Sequence, residues 1–160
     1  MTKACVRVLF TIGILSLATA ASAQDAPPGL AGTWILQADA AAARNRRPIN
    51  GISIATRLII RVAPSEVSID GNTGTDNAII TTVFKVSGGE QTIPGPIGWD
   101  TRAASTVDAG TLVVAIRRSV QGPEGELTFE IREVYAVDGD TLTVERTQRR
   151  TVQTLVYKRG

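Results

Sequence analysis

The amino-acid sequence predicts an all-β fold, an antiparallel meander of about eight to ten strands that closes into a barrel. Three observations favour this fold class. From Ile54 onward apolar and polar residues alternate with a period of two, which is typical of strands with one buried and one exposed face. Clusters of turn-forming residues separate these segments, and one hairpin pattern recurs. A long meander has two unpaired edges unless it closes, so a barrel is favoured over an open sheet.

The recurring unit is a hairpin made of a strand, a four-residue turn and a second strand. Residues 107–114 (Val-Asp-Ala-Gly-Thr-Leu-Val-Val) return as residues 137–144 (Val-Asp-Gly-Asp-Thr-Leu-Thr-Val), and residues 62–69 are a weaker copy. Repeats spaced about 30 residues apart also occur in solenoids. Here the copies are few and unequally spaced, which favours a meander. The predicted strands are 32–37, 55–63, 66–70, 78–86, 97–107, 111–119, 127–137, 141–148 and 151–159.

The first 23 residues have the pattern of a secretion signal. Lys3 and Arg7 give a positive start, and the apolar run 8–17 is too short to span a bilayer comfortably. Residues 21–23 (Ala-Ser-Ala) match the small-x-small pattern that signal peptidase accepts. We therefore expect cleavage after about Ala23, a periplasmic or secreted protein, and no stable membrane span afterwards. An N-terminal membrane anchor is the alternative.

The remaining chain is predicted to have a flexible leader (residues 24–30) and one domain (residues 31–160). The full chain has 17 Lys and Arg against 15 Asp and Glu, and the signal holds two of the basic residues, so the mature chain is near neutral. This balance weighs against a nucleic-acid partner. The only cysteine, Cys5, leaves with the signal, and the chain has no histidine. We therefore predict no Cys/His zinc site, no cofactor and no catalytic residue.

The turn lengths predict the register of the second half of the barrel. If Val107 pairs with Leu112 across its hairpin, Thr101 lies opposite Arg118. If Val137 pairs with Leu142, Glu133 lies opposite Arg146. Because most members of one phase are apolar, that phase is predicted to face inward. The inward set is Trp99, Thr101, Ser105, Leu112, Ile116, Arg118, Phe129, Ile131, Glu133, Tyr135, Leu142, Val144, Arg146, Leu155 and Tyr157.

Three charged residues therefore fall on an otherwise apolar face. Glu133 and Arg146 make one pair, whereas Arg118 has no carboxylate opposite it. Either Arg118 lies at the rim and the pair is structural, or the guanidinium groups bind the carboxylate of an apolar or amphipathic ligand. The predicted ligand-binding residues are Trp99, Leu112, Ile116, Arg118, Phe129, Ile131, Glu133, Tyr135 and Arg146.

Two segments rich in turn residues are predicted as loops. The prolines in residues 93–98 (Ile-Pro-Gly-Pro-Ile-Gly) lack N–H donors, so this segment is an edge crossing or a rim loop near Trp99. Residues 70–76 offer oxygen ligands and glycines, but they lack the EF-hand spacing and its terminal Glu. A hairpin loop is therefore favoured over a calcium site there.

Residues 32–34 (Gly-Thr-Trp) stand ahead of the meander, and residues 157–159 (Tyr-Lys-Arg) end it. With the hairpin 138–144, this pattern resembles the small secreted bacterial lipocalin-like, or calycin-type, β-barrel proteins. The resemblance implies a structural barrel plug made of Gly32 and Trp34, with Arg159 packed over the indole and Lys158 as the alternative. Such a contact contributes about 0.5–2 kcal/mol of cation–π energy. The interior Arg and Tyr are also similar to those of fatty-acid-binding barrels.

These observations predict a non-enzymatic binding protein in the periplasm or outside the cell. Its ligand is expected to be a small hydrophobic or amphipathic molecule, with carboxylate-bearing molecules included. The alternative is a structural or protein-interaction module whose barrel is filled by its own side chains. An internal cavity on the order of 300 Å³ or more distinguishes the first from the second.

Overall fold

The computed structural model describes residues 27–37, 54–72 and 78–160. They form a short 3-10 helix, Pro28–Leu30, and ten strands of one antiparallel sheet. The predicted signal peptide and most of the candidate calcium loop lie outside the described residues. No helix within the three described segments has the length and apolarity that a membrane span requires.

The strands form a nearly closed meander barrel, which confirms the predicted fold class. Their order in the sheet is β4-β3-β2-β1-β10-β9-β8-β7-β6-β5, so β1 joins the two halves of the chain by pairing with β10. The strands are β1 Gly32–Leu36, β2 Arg57–Ala63, β3 Glu66–Asn72, β4 Ile79–Lys85, β5 Gln91–Thr92, β6 Asp100–Asp108, β7 Thr111–Gly122, β8 Gly125–Asp138, β9 Thr141–Gln148 and β10 Thr151–Arg159.

The register predicted from the turns is confirmed. Val107 pairs with Leu112, and Glu133 pairs with Arg146. The β6–β7 turn has positive φ at both central residues, 47° at Ala109 and 77° at Gly110. Such two-residue turns twist in the same sense as the strands that they join, so they hold the pairing in phase. The inward phase of β6 to β10 therefore follows the prediction.

The barrel closes between β4 and the β5–β6 edge through side chains. Gln91 Oε1 accepts a hydrogen bond of 2.9 Å from the Lys85 N–H, and Gln91 Nε2 donates to the Val83 carbonyl. Ser105 Oγ donates to the Lys85 carbonyl over 2.8 Å. In the described residues β4 and β5 are not joined by backbone hydrogen bonds, so the Gln91 side chain supplies hydrogen bonds where a strand partner would otherwise do so. This seam was not predicted, because a two-residue strand shows no alternation.

One end of the barrel is closed by Trp34, whose side chain is fully buried. Its indole Nε1–H donates to the Leu30 carbonyl over 2.9 Å, which ties the 3-10 helix to the core. The guanidinium carbon of Arg159 lies 4.4 Å from the centre of the Trp34 ring, within range of a cation–π contact. We call this the closed end. The turns at residues 64–65, 109–110 and 139–140 also lie there.

Arg159 also holds the entry of the chain into β1. Its Nη1 donates to the Ala31 carbonyl over 3.0 Å, and its Nη2 donates to the Gly29 carbonyl over 3.2 Å. Gly32 has φ of 143°, and a Cβ there would lie 2.6 Å from Arg159 Nη1. The structure thus brings Gly32, Trp34 and Arg159 together where the resemblance implied a plug.

Candidate functional site

The barrel contains a cavity of about 540 Å³. This volume lies within the range of small-molecule pockets, roughly 300–1,000 Å³. The wall is mostly apolar, but two arginines, a glutamate and a tyrosine interrupt it. The lining residues are Ala55, Ile69, Gly71, Ile80, Thr82, Phe84, Ile93, Pro94, Gly95, Pro96, Ile116, Arg118, Glu133, Tyr135 and Arg146.

The cavity opens between the start of β4 and the loop of residues 93–99. Ile80 lines it and is 47% exposed, whereas the lining residues Ile69 and Ile116 are buried. A Cβ on Gly95 would lie 2.0 Å from Thr101 Oγ1, so the close approach of the loop to β6 requires glycine there. The proline-containing segment is therefore a rim loop, one of its two predicted placements. We call this opening the mouth.

A buried ion pair with a phenol lies inside the cavity. Glu133 and Arg146 share the inward phase of their strands and pair directly. Arg146 Nε lies 2.7 Å from Glu133 Oε1, and the Tyr135 hydroxyl donates to Glu133 Oε2 over 2.7 Å. Both carboxylate oxygens are thus hydrogen-bonded, which offsets part of the cost of burying the charges.

Arg118 is the unusual member of the cavity wall. It is only 9% exposed, and its Nε and Nη1 atoms are buried without a hydrogen-bond partner among the described residues. Burial lowers the pKa of its guanidinium; Glu133 opposes this shift and Arg146 adds to it. Arginine nevertheless stays protonated in proteins. A buried cation with free donors is costly unless another group supplies acceptors.

The other titratable groups determine the charge of the cavity. Burial and the neighbouring Glu133 raise the pKa of the Tyr135 phenol well above its usual value, so Tyr135 is a neutral donor at neutral pH. Burial acts to lower the pKa of Arg146, but Glu133 and Tyr135 outweigh it and the pKa is raised. The lining thus has two cations, Arg118 and Arg146, and one anion, Glu133. Its net charge of +1 would be balanced by a monoanion.

The structure brings only part of the predicted ligand-binding set to the cavity. Ile116, Arg118, Glu133, Tyr135 and Arg146 line it. Four other predicted residues are not in the lining. Leu112 and Ile131 are buried elsewhere in the core, and the half-buried Trp99 and Phe129 rings pack together with centroids 5.5 Å apart.

The opposite wall was not predicted. It consists of residues from β3, β4 and the rim loop, including Ile69, Thr82, Phe84 and Ile93. The period-two signal is present there, because Ile80, Thr82 and Phe84 share one phase of β4. The sequence does not connect that phase to the second half of the barrel, because the seam between β4 and β5 depends on side-chain contacts. Within the described segments, no group of three or more acidic, His or Cys side chains is placed to hold a metal.

The fold is that of the lipocalin-like and fatty-acid-binding β-barrels. No protein-family model matches the chain, and no curated protein sequence matches it. A secretory abundant heat soluble protein from Ramazzottius varieornatus superposes with a TM-score of 0.60 at 17% identity, covering 82% of this chain and 96% of that one. Lipid binding protein 8 of Caenorhabditis elegans has a TM-score of 0.60 at 9% identity, with the same two coverages of 82% and 96%. A fatty acid transporter, REP1-NXSQ, has a TM-score of 0.58 at 17% identity, again covering 82% and 96%.

Proposed function

We propose that the protein is a non-enzymatic carrier or binding protein for a small hydrophobic ligand that bears one carboxylate. The single observation that supports this most is Arg118, a buried cation in the cavity wall with two unpartnered nitrogen atoms. Nη1 of Arg146 also lacks a partner among the described residues. A carboxylate accepts hydrogen bonds from such donors, and its charge balances the +1 of the lining.

The rest of the cavity suits an alkyl chain. Ile69, Phe84, Ile93 and Ile116 present apolar surface in the same cavity as Arg118. Burying apolar area contributes about 25 cal/mol per Å², so the chain would supply affinity and the arginines would supply head-group preference. Two of the structural neighbours are named as a fatty acid transporter and a lipid binding protein, which supports the same ligand class. The filled-barrel alternative is less well supported, because about 540 Å³ of space remains inside.

We expect Arg118→Met to separate binding from stability. The variant should bind dodecanoate about 10–100-fold more weakly, because hydrogen bonds to a charged group contribute about 1.5–3 kcal/mol. Its free energy of unfolding should be unchanged or about 1–2 kcal/mol higher, because a buried, unpartnered cation is removed. Calorimetric titration of delipidated protein and urea unfolding measure the two quantities.

Two controls accompany that substitution. Arg102→Met removes an exposed arginine of the outer face and should leave the affinity for dodecanoate within about twofold of wild type. Dodecanol, which has no charge, should bind wild type and Arg118→Met alike. Equal dodecanoate affinities of wild type and Arg118→Met would contradict the proposal. Bound dodecanoate should also be recovered chemically unchanged, as expected of a binder rather than an enzyme.

We also propose that the protein is exported to the periplasm or the medium, on the strength of the pattern in residues 1–23. Expression of the full chain in a bacterium should give a mature form that begins at Gln24. Intact mass and N-terminal sequencing of the exported fraction check this. Replacing Ala21 and Ala23 by bulky residues should block processing, and a product that keeps Met1 in the wild type would refute export by cleavage.

A further inference from the structure

Large apolar side chains are exposed unevenly over the barrel. In the described segments, five of the seven exposed ones stand at the mouth end, close to the turns there. The other two, Ile35 and Val83, lie on β1 and β4 away from the mouth, and the turns of the closed end hold none. The five are Ile79, Ile80, Ile97, Leu127 and Val152.

Three of these side chains lie in the cavity wall or beside it in the sequence, and Leu127 lies at the same end on another strand. Ile79 is 64% exposed and precedes Ile80 of the cavity wall. Ile97 is 103% exposed and follows Pro96 of the same wall. We call Ile79, Ile80, Ile97 and Leu127 the mouth patch. Exposed apolar side chains around a cavity entrance are removed from water only when another surface covers them, so such a rim indicates a contact site.

Leu127 reaches the rim because the β7–β8 hairpin extends beyond its neighbours. Pairing of β8 with β9 stops at Arg132, and pairing of β7 with β6 stops at Ser119, whereas β7 and β8 stay paired to Gly122 and Gly125. Leu127 shares the inward phase of β8 and pairs with Val120 of β7, but it lies beyond the pairing with β9, and it is 54% exposed. Two residues further, Phe129 packs against Trp99 and so connects the hairpin to the rim loop.

We propose that the mouth patch docks on the surface of a lipid bilayer, so that the cavity entrance faces the acyl chains. The proposal rests on the proposed function for its cargo, since an apolar ligand resides in membranes. The patch is aliphatic and spread over three separate segments, whereas protein interfaces are enriched in Tyr, Trp and Arg and need close shape complementarity. A fluid bilayer accepts isolated aliphatic side chains without a matching surface. At the same end, the exposed Arg149 and Arg150 are offset by Glu124 and Glu126, so zwitterionic lipid suffices.

The test is sedimentation of the purified protein with sucrose-loaded phosphatidylcholine vesicles. The wild type should sediment with them, and Ile97→Asp/Leu127→Asp should weaken partitioning by about tenfold or more. Ile35→Asp, a matched substitution of an exposed isoleucine (39%) away from the mouth, should change it by less than about twofold. Brominated acyl chains should quench Trp99 near the rim and spare Trp34 at the closed end.

Circular dichroism first establishes that each variant is folded. No sedimentation of the wild type, or equal losses in the mouth variant and in Ile35→Asp, would overturn the docking proposal. Release of the wild type by 0.5 M salt would also overturn it, because apolar docking is insensitive to screening. Dodecanoate titration without vesicles is an independent measurement. Docking without dodecanoate binding would refute the ligand assignment alone, and dodecanoate binding without docking would refute the docking alone.

Discussion

Glu133→Ala should destabilise the fold by about 3–5 kcal/mol, because it leaves the Arg146 charge buried without its partner. The Glu133 side chain is 5% exposed and accepts from Arg146 Nε and from the Tyr135 hydroxyl, so its removal leaves two donors unpaired. Urea unfolding followed by circular dichroism measures the loss. A β-barrel that starts from the usual 5–15 kcal/mol would retain little margin.

Matched variants isolate the cause of that loss. Glu130→Ala changes an exposed glutamate of the same strand and should cost less than about 0.5 kcal/mol. Glu133→Ala/Arg146→Met removes both charges of the pair and should recover a large part of the stability, because Arg146 is no longer buried without its partner. A loss below about half a kcal/mol in Glu133→Ala would mean that the Glu133–Arg146 pair faces water. The proposed site would then have no buried ion pair.

The second half of the barrel was predictable because each hairpin carries its own register. A two-residue turn determines which residues lie opposite each other, and the period of two determines which of them share a face. One such turn, at residues 139–140, was enough to place Glu133 opposite Arg146 across 13 residues of chain. Arg118 falls in the same phase, and its lack of a carboxylate partner was also visible in that register.

The cavity itself was not predictable by the same reasoning. Phase assigns a side chain to the inside of a barrel, but it does not say whether the space there is filled. Leu112 and Ile116 share a phase and both are buried, yet only Ile116 lines the cavity. The far wall depends on the seam at Gln91, a contact made by one side-chain amide with no sequence periodicity.

The two ends of the barrel divide stability from function. At the closed end the indole, the guanidinium and the backbone carbonyls satisfy one another. At the polar end of the cavity, Arg118 keeps donors without partners. Natural proteins tolerate such local costs where a ligand resolves them, so Arg118→Met and Trp34→Ala should have opposite effects on the stability of the unliganded protein.

Trp34→Ala is expected to have the other large effect, a loss of about 3–5 kcal/mol, as is usual for removing a buried large side chain. The indole is fully buried, and β1 connects the two halves of the sheet through its pairing with β10. Its loss also removes the hydrogen bond to the Leu30 carbonyl and the surface under Arg159. Urea unfolding measures the stability, and hydrogen exchange should show faster opening of residues 27–36 than of the β7–β8 pair.

Three comparisons separate the contributions at this end. Trp34→Phe keeps a ring but loses the N–H and volume, so about 1–3 kcal/mol should be lost. Arg159→Met keeps the aliphatic stem and should cost about 0.5–2 kcal/mol through the lost cation–π contact. Trp99→Ala removes the half-buried tryptophan at the mouth and should cost less than Trp34→Ala. Equal losses of unfolding free energy in Trp34→Ala and Trp99→Ala would contradict this role of the closed end. The Trp34 indole, which contacts the 3-10 helix and Arg159, would then contribute no more than a contact at the rim.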